Sequence, residues 1–476
     1  MQIKDTLVNR LNRRLDEVEE FEREPVPESR LKGWKGFVGM YIGENTAGTE
    51  FVIGTMFVAH GVSASALISG LVVGNILAVC SWAFLTAPVA VKTRLTLYWQ
   101  LRKICGPNLA SLYNVVNAIM YCFLAGAMIA VSATAVGLPF HVAMPTLNDW
   151  LPTNVGWVVA VLAVGIVITV VAMFGYDKVS QFANACSPWM ILVFFAAGLA
   201  VLPQLGVNLH NISDFWTVAN HKIWTGNPAA GQVKYGFWDV MFFSWFTNMA
   251  MNIDMSDMSI LRYAEEWYHG FSPAPSVFLG HFMAWISSGI LTAAAFGAIA
   301  PGIIAYHSAG AAGLIAVVIA GWTTANPTLY RAGLAFQAAT PNWKRWKVTL
   351  VTGLITSIAA LFPALVMQLL NFVALYGLLL MPMGVVILLD VFLFPKLGLK
   401  SNLAEVVHLK FNMAAGLTWF ITLTFCLLLY LYGGIQIFFL GLPGWFFAAI
   451  LYVGLSFLFQ RKYNSEAYQA VSKSVA

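Results

Sequence analysis

Charge is scarce in this chain: of 476 residues, 26 are Lys or Arg and 21 are Asp or Glu. So few charges exclude a solvated soluble surface, and the net +5 sits in short separate segments rather than on one face, so no nucleic-acid partner is expected. Cysteine is rare as well. Cys80, Cys105, Cys122, Cys186 and Cys426 lie scattered through apolar stretches without paired metal-ligand spacing, and free, buried thiols are expected. Residues 1–35 lack the apolar core of a cleavable signal peptide. No G-x-S-x-G, H-E-x-x-H or GxxxxGK[ST] pattern occurs, so neither a catalytic residue nor a cofactor is expected. Without an ATP site, any work must come from an ion gradient or from the solute's own.

What is abundant is apolar. Hydrophobic residues make up 59% of the chain, aromatics 14%, and mean hydropathy is +0.75, the composition of a polytopic membrane protein. Windows of about 20 apolar residues recur near 36–58, 63–91, 108–137, 155–174, 187–203, 237–261, 276–302, 308–337, 348–370, 372–394, 411–432 and 435–459. With twelve spans and both termini cytoplasmic, 24 of the 26 Lys and Arg fall on the inner side, leaving Lys222 and Lys234 outside. One span more or fewer destroys that asymmetry. The expected location is therefore the cell membrane, with the lipid bilayer as partner and the monomer as expected state. Leu7, Leu11, Leu15 and Val18 at helical spacing make residues 1–35 either a membrane-surface helix or a solvated lead-in. The long loop near 203–236, with Trp216 and Trp224, suits an extracellular connector at the interface.

Two acids stand inside the first apolar window, in Gly43-Glu44-Asn45-Thr46-Ala47-Gly48-Thr49-Glu50. Each costs about 2.5 to 3.5 kcal/mol at the centre of an inserted helix, so such residues face a cavity, a partner or an ion. On a regular helix they would point about 120° apart. A break releases them from that constraint, and Gly43, Gly48 and Gly54 with Thr46 and Thr49 supply flexible backbone and hydroxyls for one. The sixth window is polar in the same way, through Ser244, Thr247, Asn248, Asn252, Asp254, Ser256 and Asp257. Interrupted spans at corresponding places in two halves point to a midplane binding site in an inverted-repeat transporter.

A site built from these parts has aromatic walls and a few aimed polar groups. Trp245 and Phe246 near the sixth-span break, and Tyr121 from the third, can stack on a planar solute. Asn248 and Asn252, with Asn326 from the eighth span, offer both donor and acceptor to a ring amide. Glu50 can accept from an amino-pyrimidine, neutralise a cation or carry a proton. Asp254 and Asp257 are expected as gate or stability residues, Asp390 as the partner of a loop cation, and His281 as a satisfied buried histidine. Adjacent Thr323 and Thr324 offer two hard oxygens, and a broken helix frees carbonyls to join them.

Gly321-Trp322-Thr323-Thr324 with Leu329-Tyr330 and Gly333-Leu334, and Met381-Pro382-Met383-Gly384-Val385-Val386 with Leu389-Asp390, resemble spans eight and ten of purine/cytosine permeases in the nucleobase:cation symporter family. Asp257, Ser259, Arg262 and Tyr263 are similar to that family's acidic-then-Arg-aromatic signature after span six. The resemblance implies an all-α, leucine-transporter-type fold: ten core helices in a 5+5 inverted repeat with broken helices one and six, plus two peripheral helices. The divisions implied are a cytoplasmic segment 1–35, a core 36–394 with repeats near 36–203 and 237–394, peripheral helices 395–459 and a cytoplasmic tail 460–476. It further implies a planar heterocycle such as cytosine or a purine bound among spans one, three, six and eight, with Na⁺ the expected coupling ion and H⁺ the alternative. By the same likeness Thr323 and Thr324, with the carbonyl of Ala320 and span-one carbonyls near Ala47 and Glu50, would hold the sodium. The chain departs from the cytosine carriers at Tyr121-Cys122, where they place a stacking tryptophan, at Ala325, where they place asparagine, and in its two span-one acids. A pyrimidine vitamin precursor, an amine or an amino acid is the alternative cargo, and a membrane enzyme or channel the alternative class.

Overall fold

The computed structural model describes residues 13–16, 18, 20–48, 50–143, 145, 149–152, 154–207, 213–294, 301–362, 364 and 369–464. Nine helices among these are long and apolar enough to cross a membrane. The other expected spans, the first, sixth and ninth, fail on length. The first is two ten-residue helices, Lys35–Glu44 and Glu50–Ala59. The sixth is Phe237–Phe246 followed by two four-residue helices, Met249–Asn252 and Met258–Leu261. The ninth, Arg345–Ala359, has 15 residues.

The remaining spans are continuous. The second runs through Ala64–Ser81, a π turn at Trp82–Thr86 and Ala87–Thr93, the third is Pro107–Gly137, and the fourth is Val155–Met173. The fifth is Gly175–Val201, the seventh Ser276–Phe282 and Met283–Ala294, the eighth Pro301–Ala339, and the tenth Leu369–Phe392. Met413–Gly433 and Gly441–Gln460 complete the twelve, packed on one another and on the tenth.

The fifth span starts well before the expected residue 187. Its polar first turns are not a loop but a helical face turned to the first span, where Ser180 and Ser187 donate to the carbonyls of Gly36 and Gly39. Polar groups survive there because they are bonded helix to helix. Spans three and eight lie along each other through the middle, and 78% of the third span's apolar window is buried against 28% of the last span's. The former is core; the latter faces lipid, as exposed Phe446, Ile450 and Leu458 show.

Gly43, Gly48 and Gly54 serve packing rather than flexibility, since none has positive φ. A Cβ on Gly48 would collide with Val131, and one on Gly54 with Ser288 and the Trp285 carbonyl. Leu7 and Leu11 of the expected N-terminal helix lie outside the described residues, and the second half of the segment is solvated only in part: Glu20 is buried among spans five, six and eight. The loop after the fifth span folds back on the first, with Ala229 and Tyr235 amides donating to the carbonyls of Ala59 and His60, and Trp224 buried against Gly289.

Candidate functional site

The two breaks meet. In the first span the helix stops at Glu44, Asn45 reaches across to donate to Ser276 Oγ at 2.7 Å, and the chain re-enters a helix at Glu50. In the sixth, the helix stops at Phe246 and Asn248 caps the short turn that follows. Between them lies a cavity of about 60 Å³, lined in part by Glu50, Phe243, Asn248, His281, Thr324 and Tyr376. Spans one, three, six, seven, eight and ten all contribute to its wall.

The threonine pair divides its work. Thr323 Oγ1 turns back to the carbonyls of Ile319 and Ala320 on its own helix, at 3.0 and 3.1 Å. Thr324 Oγ1 leaves the helix and stands 3.0 Å from the Ala320 carbonyl, 3.0 Å from Glu44 O and 3.3 Å from Gly43 O. The span-one carbonyls beside it are thus those that end the first half-helix. Those of Ala47 and Glu50 are engaged elsewhere, by the Glu50 amide and by Ser288 Oγ. Four hard oxygens from two elements converge, a donor set that suits a small cation stripped of water.

The two acids of the first span have opposite surroundings. Glu44 receives Arg331 in a two-pronged pair, Nη1 to Oε1 at 2.5 Å and Nη2 to Oε2 at 3.0 Å. Arg331 also donates to Asp257, whose other oxygen accepts from Trp82 Nε1 at 2.6 Å. Planar guanidinium suits this double recognition as lysine would not. Asp254 accepts from Tyr113 and Ser256. Glu50 accepts from Trp285 Nε1, and its nearest basic group is His281 Nε2 at 3.6 Å. His281 stacks on Trp285 with centroids 4.7 Å apart, and its Nδ1 has no partner. The histidine is buried but unsatisfied, contrary to expectation.

The other expected site residues separate. Asn248 lines the cavity and its side-chain amide nitrogen is unpaired. Trp245 and Phe246 do not line it: Trp245 donates to Ser81 on the second span and stacks on Phe246, which packs with Met249, Met381 and Cys426. The break comes just after them, so they point to the helix's outer faces, and Phe243, one turn earlier, reaches the cavity instead. Tyr121 stands one layer back, against Tyr376 at 5.2 Å. Asn252 reaches toward the Ala78 carbonyl, and Asn326 bonds back to Trp322 on its own helix. Asp390 meets no cation; it accepts from the Asn402 amide and Tyr452. Arg331, which charge counting treats as an inner-side topology marker, is fully buried. Its spacing carried the signal, because seven residues after Thr324 place it on the same face two turns on. The pair His281 and Trp285, four apart, follows the same rule.

No protein-family model matches the chain, and no curated protein matches it. Solved structures do. Mhp1, a nucleobase-cation-symport-1 family transporter, in a closed conformation with bromovinylhydantoin bound, superposes with a TM-score of 0.72 at 15% identity, over 96% of this chain and 99% of that one. A Na⁺-coupled sialic acid symporter in a substrate-bound outward-open state gives 0.63 at 14% identity, over 89% of both chains. A mutant of the manganese transporter of Eremococcus coleocola gives 0.54 at 13% identity, over 92% and 99%. The fold is the leucine-transporter type. It is an all-α membrane architecture, and the broken first and sixth spans belong to it.

Proposed function

We propose that the protein is a secondary active transporter that takes up a planar, nucleobase-like heterocycle by symport with Na⁺ through alternating access, and that the side where the first span begins is cytoplasmic. The observation that carries the reading is the convergence at the first-span break: a small cavity on one side of it and the oxygen cluster of Thr324, Ala320, Gly43 and Glu44 on the other. Solute and ion would thereby share one backbone segment, which is how binding of one can favour the other. Phe243 and Tyr376 supply flat walls and Asn248 a free donor. Among the described residues no three His, Cys, Asp or Glu side chains gather as a metal-ion site. The set at Thr324 is made of carbonyl and hydroxyl oxygens, which favours Na⁺ over a transition metal as the ion held there.

The test is uptake into proteoliposomes of a panel of purines, pyrimidines and hydantoins, with and without an inward sodium gradient. Saturable, sodium-driven accumulation is expected. Thr324→Ala removes the hydroxyl that stands among the carbonyls of Gly43, Glu44 and Ala320, so it should lower apparent sodium affinity at least tenfold, about 1.4 kcal/mol, while the variant remains folded. Unchanged sodium dependence in that variant would remove the ion site from the mechanism.

A further inference from the structure

We infer that the cargo carries a positive charge and that Glu50 is its counter-charge. This rests on the transporter reading and narrows it, from planar heterocycles in general to planar organic cations: protonated amidines, amino-heterocycles or N-alkylated rings.

The charges at the centre do not balance, in a space with little water. Among the described residues the centre of the molecule holds four buried acids, Glu44, Glu50, Asp254 and Asp257, and one guanidinium beside them, Arg331. Arg331 is spent on Glu44 and Asp257. Asp254 is held by two hydroxyls, Tyr113 and Ser256. Glu50 is left with one indole N–H on Oε2, while Oε1 has only His281 at 3.6 Å. The imidazole does not serve as the cation. An imidazolium carries two N–H groups, and Nδ1 of His281 is buried with no acceptor.

A buried carboxylate in this state is costly unless a partner arrives. Its place, at the first turn of the re-entering half-helix, eases the cost only in part. Glu50 also lines the cavity, so the missing partner can come from there. Other walls of the cavity fit a flat cation. Phe243 and Tyr376 present aromatic groups, to which a desolvated cation is attracted. Asn248 lines the same cavity with its Nδ2 unpaired at 5% exposure, ready to donate to a carbonyl, ring nitrogen or hydroxyl elsewhere on the solute. A neutral heterocycle would satisfy Asn248 and could donate an N–H to Glu50, but it brings no charge to offset the carboxylate. A cation with one acceptor satisfies both.

Closely similar pairs, every member of which carries an acceptor for Asn248, test this in purified protein reconstituted in nanodiscs: pyridine-3-carboxamidinium against nicotinamide, and 1-methylnicotinamide against nicotinamide. The cation of each pair should bind at least tenfold more tightly by titrated thermal shift. Glu50→Gln should bring the ratio close to one, and Glu50→Asp should retain part of the preference. A sodium-dependent thermal shift preserved in Glu50→Gln shows that the variant is folded. Equal binding within both pairs, or a preference for the neutral member unaffected by Glu50→Gln, overturns the charge assignment and leaves the transporter reading standing. Neutral cargo taken up only with an inward proton gradient, a requirement lost in Glu50→Gln, also overturns it, because Glu50 would then carry the proton. Failure of every charged and neutral heterocycle to bind counts against both.

Discussion

The two sides of the central cavity are closed by different chemistry. On the side where the first span begins, closure is ionic and tiered. Arg331 joins Glu44 to Asp257, Tyr113 and Ser256 hold Asp254, and Arg262 donates to the carbonyls of Glu20 and Phe21 while the Glu20 carboxylate accepts from Tyr263, Tyr330 and the Tyr176 amide. On the other side closure is aromatic and thin. Phe57, Phe243 and Trp285 pack edge to face or tilted at 5.5 to 5.9 Å, and Phe243 lines both the central cavity and an outer hollow of about 360 Å³. Val233, in the wall of that hollow, is 64% exposed, so the hollow reaches solvent. Buried ion pairs with satisfied partners are directional and fail abruptly when one member is lost. Aromatic contacts slide. The difference means that the cavity is held by directional ion pairs on one side, while on the other Phe243 is shared between it and the solvent-reaching hollow.

The largest expected effect comes from the centre of the ionic side. Arg331→Ala leaves Glu44 and Asp257 buried without a cation, a loss of about 3 to 5 kcal/mol. A drop in detergent melting temperature and abolished uptake are expected. Arg331→Lys should rescue little, because an ammonium cannot reproduce the two-pronged pair with Glu44 while bonding Asp257. Wild-type melting in Arg331→Ala would mean that the tiers bear no load.

A smaller effect is expected one tier out, at the N-terminal strap. Gly175 has φ +78 and a Cβ there would collide with Glu20 Oε1, so the turn between spans four and five is shaped around this carboxylate. Glu20→Ala removes charge-assisted bonds to Tyr263 and Tyr330, about 1.5 to 3 kcal/mol for one such bond. If that energy favours closure on the side where the first span begins, its loss shifts the population toward a form open on that side roughly tenfold or more. Asn117, about three turns into the third span, is buried with its side-chain amide unpaired, and faster labelling of Asn117→Cys by an impermeant maleimide applied from that side is the readout. A rate unchanged by Glu20→Ala would make the strap a passive attachment and blunt the contrast between the ends.

How much of this was legible in the sequence follows from the range of each signal. The breaks were legible, because acids and amides persist within an apolar window only where a cavity, an ion or a polar partner meets them. The twelve spans followed from hydropathy and Lys/Arg placement. The partners were not legible. Nothing local says that Glu44 meets an arginine 287 positions away while Glu50 meets none. The aromatic assignment failed by one helical turn, since Trp245 and Phe246 adjoin the break in sequence but Phe243 faces the cavity. Resemblance pointed to the carbonyls of Ala47 and Glu50, whereas those of Gly43 and Glu44 stand beside Thr324. Buried Glu20 was beyond reach, because a charged lead-in reads as solvated until something binds it.

The mildest perturbation tests the thin side. Phe243→Ala deletes the wall shared by the cavity and the outer hollow, along with edge or tilted contacts to Phe57 and Trp285. Each contact contributes about 0.5 to 1.5 kcal/mol beyond burial, and part returns as neighbouring rings relax into the gap. Folding and the ionic tiers should therefore survive, with modification of Asn248→Cys by a small charged thiol reagent from the outer side several-fold faster and maleimide access to Asn117→Cys from the inner side unchanged. That asymmetry is what two independently closed ends require: a change at Phe243 should be felt on its own side only. Were inner labelling to rise as well, the aromatic partition and the Arg331 network would be parts of a single coupled closure, and the contrast drawn between them would be one of materials, not of function.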